Sequence, residues 1–251
     1  MADPFTLITI VITFLLAGTV KGVVGMGLPA VSIALLTALL DLTTAMALML
    51  VPSFVANVWQ AVVGGNGLAL LKRLSIFFTL AFGAVWLGGQ ALATVDLALL
   101  SALLGVLLVV YGASGLANYR VTVRIGQEGW AGPVVGFVNG VFTGMTGSFA
   151  FPGVLYLQAL GLKRDELIQA MGILFTLSTV GVAVSLQSNA LLTAQLGILS
   201  AVGLVPAILG MFFGQCVRER MSATVFRRVF LIALVLLGTY IGVTAFFRYL
   251  G

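Results

Sequence analysis

The sequence predicts an all-α polytopic membrane protein of two inverted repeats, each a broken, re-entrant helical hairpin plus three transmembrane helices. Three observations carry that reading: the composition, the number of long apolar stretches, and two similar glycine-rich interruptions. Apolar types make up 61% of the 251 residues and charged types 8%, with a mean hydropathy of +1.21. A water-soluble domain carries roughly 25% charged residues. So little charge cannot cover a globule in water, so lipid must face most of the surface.

The same composition excludes a disordered chain and a soluble nucleic-acid binder, and a single cysteine, Cys216, makes no disulfide framework. There is no histidine. Histidine-ligated haem, two-histidine zinc motifs, serine–histidine hydrolysis and histidine proton relays are therefore excluded. The net charge of +5 comes from Lys and Arg scattered through short loops, as the positive-inside rule expects. The opening MADPFTLITIVITFLLAG has no basic n-region and no small-x-small cleavage site, and is expected to belong to the mature membrane protein.

The elements follow in order. Phe5 to Leu40 is a long apolar run broken by TVKGVVGMGLP, Thr19 to Pro29. Its arms of roughly 10–14 residues are shorter than the ~20 needed to span, so a hairpin with its tip inside the membrane is expected. Thr43 to Val63, Leu74 to Ala93 and Leu97 to Ala117 are three spans, the first bent at Pro52. Gly132 to Gly161 is the second broken run, interrupted by TGMTGSFAFP, Thr143 to Pro152. Glu166 to Gln187, Ala190 to Cys216 with an internal Pro206, and Thr224 to Tyr249 complete the second set of spans.

The two interruptions correspond in order. Gly18, Lys21, Gly22, Gly25, Met26 and Pro29 match Gly136, Asn139, Gly140, Gly144, Met145 and Pro152, with an insertion in the second copy. AMALML echoes AMGILF, AFGAVWLGG echoes AVGLVPAILG, and Tyr111 matches Tyr240. The chain thus divides into a first repeat, 1–120, a cytoplasmic connector, 121–130, and a second repeat, 131–251, within one membrane domain.

Charge sets the topology. Lys72-Arg73, Arg120 with Arg124, Lys163-Arg164, and the arginines 218, 220, 227 and 228 are the basic loops. The segments around Asp41, Asp96 and Ser188-Asn189 lack Lys and Arg. If each broken run enters and leaves on one side, all four basic loops become cytoplasmic, both termini lie extracytoplasmic, and the halves are inverted. Arg248 alone conflicts. Inverted repeats with helices broken at the midplane characterise secondary transporters.

The chemistry lies at the breaks. Pro29 and Pro152 suit the first position of a returning half-helix, where a missing N–H costs nothing. A helix N-terminus carries about half a positive charge and binds anions, and Gly25, Gly27, Gly144 and Gly147 let a ligand approach backbone. Lys21 is an ionisable group in an apolar run, a functional candidate by default; snorkelling is its alternative. Asn139, Thr146 and Ser148 add donors at the second break, with helix-end capping as their alternative. Ser53, Asn57 and Gln60 share one helical face and Gln169 and Thr176 another; they line a pathway or hydrogen-bond between helices. Trp130, Tyr119 and Tyr249 fit an interfacial belt. All seven carboxylates lie at span ends or in loops, so the buried charge is positive and favours an anion. Moving one anion outward along an inside-negative potential gains about 2.3 kcal/mol per 100 mV.

AGTVKGVVGMGLPAVSIALL, VGFVNGVFTGMTGSFAFPGVLYLQALGL and the repeated layout resemble the sulfite exporter TauE/SafE family, also called the toluene-sulfonate uptake permease family. The GMGLP stretch is poorer in glycine than the family's usual form. The resemblance implies a bacterial inner-membrane carrier of sulfite, sulfonates or related organic anions, with the glycines and prolines of the breaks as the site. A secondary transporter that exports such anions is the leading expectation; an anion channel is the alternative. No enzyme activity, cofactor, metal or nucleic-acid partner is expected; the expected partners are a small oxyanion, the bilayer and a second copy in a homodimer.

Overall fold

The structure is a computed structural model that describes residues 3–118, 121–220 and 222–250. Tyr119 and Arg120, expected at an interface and in a basic loop, lie outside the described residues. The described residues form twelve α-helices and one short 3-10 turn, with no strand among them. The first half runs α1 (Pro4–Val24), α2 (Leu28–Leu39), α3 (Leu42–Leu48), α4 (Leu50–Val62), α5 (Gly67–Arg73), α6 (Ser75–Thr94) and α7 (Leu97–Leu116). After the 3-10 turn at Ile125–Gln127 come α8 (Glu128–Thr146), α9 (Gly153–Ala159), α10 (Arg164–Ser188), α11 (Ala194–Arg220) and α12 (Ala223–Leu250). Six of these are long and apolar enough to cross a membrane, and the α3–α4 pair, bent by 47°, makes a seventh.

Acidic residues start the helices. Asp3 accepts from the Thr6 amide at 2.7 Å, Asp41 from Thr44 at 2.9 Å and Asp96 from Ala98 at 2.7 Å. Glu128, Asp165 and Glu166 fall in first turns. The three aspartates accept free amides, and all six carboxylates sit at the positive end of a helix dipole.

Glycine sets the closest packing. On α1, a Cβ at Gly18 or Gly22 would press into the carbonyls of Ala207 or Met211 on α11. On α8, Gly140 and Gly144 face the carbonyls of Ala81 and Val85 on α6 in the same way. Without water to drive association, such small-residue faces hold membrane helices by close contact. The first helix of each half therefore packs on a later helix of the other half, while α7 packs on α12 and α4 on α10.

Pro52 lies in α4. It has no amide to offer the Leu48 carbonyl four residues back. Buried Ser200 of α11 fills the gap: its hydroxyl donates to that carbonyl at 2.8 Å and accepts from the Val51 amide at 2.9 Å. The bend falls at Met49, three residues before the proline, with the Leu48 carbonyl and Val51 amide beside it satisfied from a neighbouring helix.

One end of the bundle is basic. Arg73, the last residue of α5, pairs with Glu128 at 2.6 Å, and that hydrogen bond raises the guanidinium pKa. At the same end Arg227 lines a cavity of about 460 Å³ with Asn118, Thr122, Gln158 and Gly161. The opposite end gathers Asp41, Leu97 and Arg248.

Candidate functional site

Each half contains a break closed by a left-handed glycine. Gly25 (φ 83°) ends α1 and donates its amide to the Lys21 carbonyl at 2.8 Å; Gly27 (φ 107°) opens α2. Gly147 (φ 67°) ends α8 and donates to the Thr143 carbonyl at 2.8 Å. Glycine alone adopts such angles without steric cost, and the return bond satisfies an end carbonyl.

These boundaries correct three expectations. The first arms are not short: α1 has 21 residues and α8 has 19, and only the returning α2 and α9, with 12 and 7, are too short to span. Helix persists through Thr19 to Val24 and through Thr143 to Thr146 because unpaired backbone is costly in an apolar interior. Glycines 18, 22, 140 and 144 serve the helix packing described above. Second, Pro29 is the second residue of α2 and Pro152 precedes α9, so neither takes the first helical position. Third, counted back from the glycine that ends each helix, Lys21 stands level with Thr143, and Asn139 lies one turn earlier.

The breaks meet. Met26, Gly27 and Pro29 from the first and Phe149 and Ala150 from the second line one cavity with Tyr111 and Phe175. Its volume, about 10 Å³, is no more than one water requires. Tyr111 donates to the Met26 sulfur at 3.6 Å. Gly147 packs against Ile33, Met46 and Met49, which seats the second break on α2 and α3.

Buried polar groups lie on α1, α4, α8 and α10. Lys21 is 5% exposed, and its ammonium donates to the Asn57 Oδ1 at 2.6 Å. Among the described residues Lys21 forms no ion pair. The Nδ2 of Asn57 and the Oγ of Ser53, one turn earlier on α4, are buried without a partner. In the second half, Asn139 Oδ1 accepts from the Gly153 amide at 2.9 Å, capping α9, while its Nδ2 and the Ser178 Oγ are unpaired. Lys21, the two asparagine Nδ2 groups and the two serines each keep donor capacity that no described residue uses.

The remaining candidates are engaged locally. Thr146 donates to the Phe142 carbonyl at 2.7 Å and accepts from the Ser148 amide at 3.2 Å. Thr143 donates to the Ser148 carbonyl at 3.0 Å. Thr176 donates to Gly172 at 2.8 Å. Gly144 lies against α6. Gln169 bridges the Ala61 carbonyl and the Asn66 amide, closing the end of α4, and Gln60 donates to Ile168. Sequence reasoning missed Ser200, Phe149 and Phe175. For Ser200, the freed carbonyl before Pro52 signals that a donor is needed but not which helix supplies it.

This arrangement is that of a polytopic helical membrane protein with two helix breaks in contact. A sequence profile described as "Sulfite exporter TauE/SafE" matches residues 10–241. The chain belongs to the sulfite exporter TauE/SafE family, a family of membrane transporters. Neither a curated protein nor a solved structure matches it.

Proposed function

We propose that the chain is a secondary carrier that exports small sulfur-containing or organic anions such as sulfite and sulfonates across a bacterial inner membrane. The carrying observation is Lys21, a buried ammonium whose one hydrogen-bond partner among the described residues is the neutral Asn57, one turn from a helix break that touches the other break. A charge buried away from water without a counter-charge is costly. An anion drawn between the breaks supplies the missing charge, met by Lys21, the free amides of the α2 first turn, and the unpaired donors of Asn57, Ser53, Asn139 and Ser178. Six acidic residues sit at helix starts, Glu128 paired with Arg73, and among the described residues none pairs with Lys21, which leaves it available to a solute.

The exchange of partners between halves, α1 on α11 and α8 on α6, supports an inverted repeat with α7–α12 and α4–α10 on its pseudo-twofold axis. The basic end supports a cytoplasmic placement of residues 72–73, 124, 163–164 and 227–228, with both termini outside. Outward movement of a monoanion then runs down the membrane potential. The narrow contact between the breaks favours alternating access over the channel reading, because a channel needs a continuous wet path.

Reconstituted in proteoliposomes, the protein is expected to show saturable sulfite flux with counterflow. Unitary currents without counterflow would establish the channel, and no flux of sulfite, sulfonates or carboxylates would reject anion transport.

A further inference from the structure

The cavity of about 460 Å³ at the basic end is walled by α7, the connector, α9, α10 and α12, and it reaches almost to the helix breaks. Two helices carry residues of both places one turn apart. On α7, Tyr111 lines the break cavity and Ser114 the basic-end cavity. On α12, the Phe230 ring stands 3.1 Å from where a Cβ of Gly27 would lie, and Arg227, three residues earlier, lines the basic-end cavity. Three helical residues advance about 4.5 Å. The second break agrees: Ala150 lines the break cavity, and Leu155 in the first turn of α9 lines the other. The barrier toward the opposite end is thicker. Along α2, Ala30 lines the break cavity and Thr37 the opposite cavity, about 10 Å further on. Charge in the basic-end cavity has one sign. Arg227 is exposed, forms no ion pair among the described residues, and shares the lining with no carboxylate. Glu166, next to the lining residue Leu167, accepts from the Lys163 amide at 3.1 Å. Ser114 gives its proton to the Tyr111 carbonyl, so the side-chain donors facing the cavity are those of Arg227, Asn118, Thr122 and Gln158.

We propose that this cavity is the vestibule through which the carrier loads its anion, with Arg227 drawing the anion in and Tyr111 and Phe230 forming the wall between it and the breaks. The assignment rests on the carrier reading above. The volume is that of a pocket for a much larger ligand, so a sulfite-sized anion passes through it and is not gripped by it. In a recess with low-dielectric walls, charge of one sign focuses the field and raises the local concentration of the opposite ion. An exposed arginine serves that task, because recruitment needs reach into water and not a dry contact. Loading from this end gives export its direction, and the thinner barrier on this side makes the described conformation the one that faces the basic end.

The first test needs no transport. In the purified full chain carrying Cys216→Ser, Leu155→Cys places a thiol on the vestibule wall. Its rates of reaction are compared for two methanethiosulfonates, the anionic sulfonatoethyl and the cationic trimethylammonioethyl reagent. Arg227→Gln is expected to lower the anionic-to-cationic rate ratio about 3- to 10-fold at low salt, and less at high salt. Arg227→Lys keeps the charge and should keep the ratio, and Arg228→Gln, whose residue does not line the cavity, should change it less. The same ratio with and without Arg227 overturns the vestibule. In proteoliposomes, Arg227→Gln is expected to raise the sulfite half-saturation about 2- to 5-fold when sulfite is offered on the Arg227 face, with the other face little changed. Equal weakening of both faces, unrestored by Arg227→Lys, would mark a merely structural role and overturn the loading assignment. If the wild type moves no sulfite but the Arg227-dependent reagent preference persists, the carrier reading fails while the anion-collecting cavity stands.

Discussion

Lys21 illustrates how much a single residue reveals and conceals. Its position in an apolar run marks it in the sequence, but its partner does not show there: Asn57 lies 36 residues away on α4. Two changes at this contact are informative. Asn57→Asp keeps the shape and supplies an internal counter-charge, so anion affinity should fall at least about tenfold while the fold is retained. Titration calorimetry with sulfite reads it, and unchanged affinity would show that the ammonium's charge is not what the anion meets. Ser200→Ala removes the donor and acceptor that heal the backbone before Pro52. Leaving those buried groups unpaired should cost about 1–3 kcal/mol in unfolding, with sulfite affinity little changed. A loss below a few tenths of a kcal/mol would mean that α4 repairs itself without Ser200.

At the scale of elements, the glycine pattern was readable but carried two meanings. Glycines 18, 22, 140 and 144 and glycines 25, 27 and 147 form one rich stretch in each half. Only the second group has positive φ; the first faces carbonyls of a neighbouring helix. Sequence spacing cannot separate close packing from unwinding, because both need the absence of a Cβ. This is why the sequence makes the arms that become α1 and α8 look too short. The separation is testable. Gly144→Ile should disrupt the α6–α8 contact, since a Cβ there meets Val85, Gly88 and Gly89 backbone atoms. The expected destabilisation is about 1–3 kcal/mol or more, seen as a lower melting temperature in detergent. Unaltered melting would place Gly144 outside the packed face.

For the whole molecule, composition and apolar run lengths made the helical membrane class legible, because lipid leaves backbone few alternatives to helix. The spans read from Leu74, Leu97 and Thr224 begin within one residue of α6, α7 and α12. Contacts between halves were not legible: nothing in the local sequence announces that α1 lies on α11, or that Phe149 reaches Met26 and Phe175. The orientation can be measured directly. With Cys216 replaced by Ser, a cysteine at residue 188 should react with an impermeant maleimide in intact cells, and one at residue 118 only after permeabilisation. The reverse pattern would invert the assignment and turn the basic end outward. The claim on which the account depends is that Lys21 meets an anion between the two breaks. Calorimetric sulfite binding to Lys21→Ala against wild type tests it: the account predicts affinity lower by about 10- to 100-fold, and equal affinity in a folded variant would contradict it.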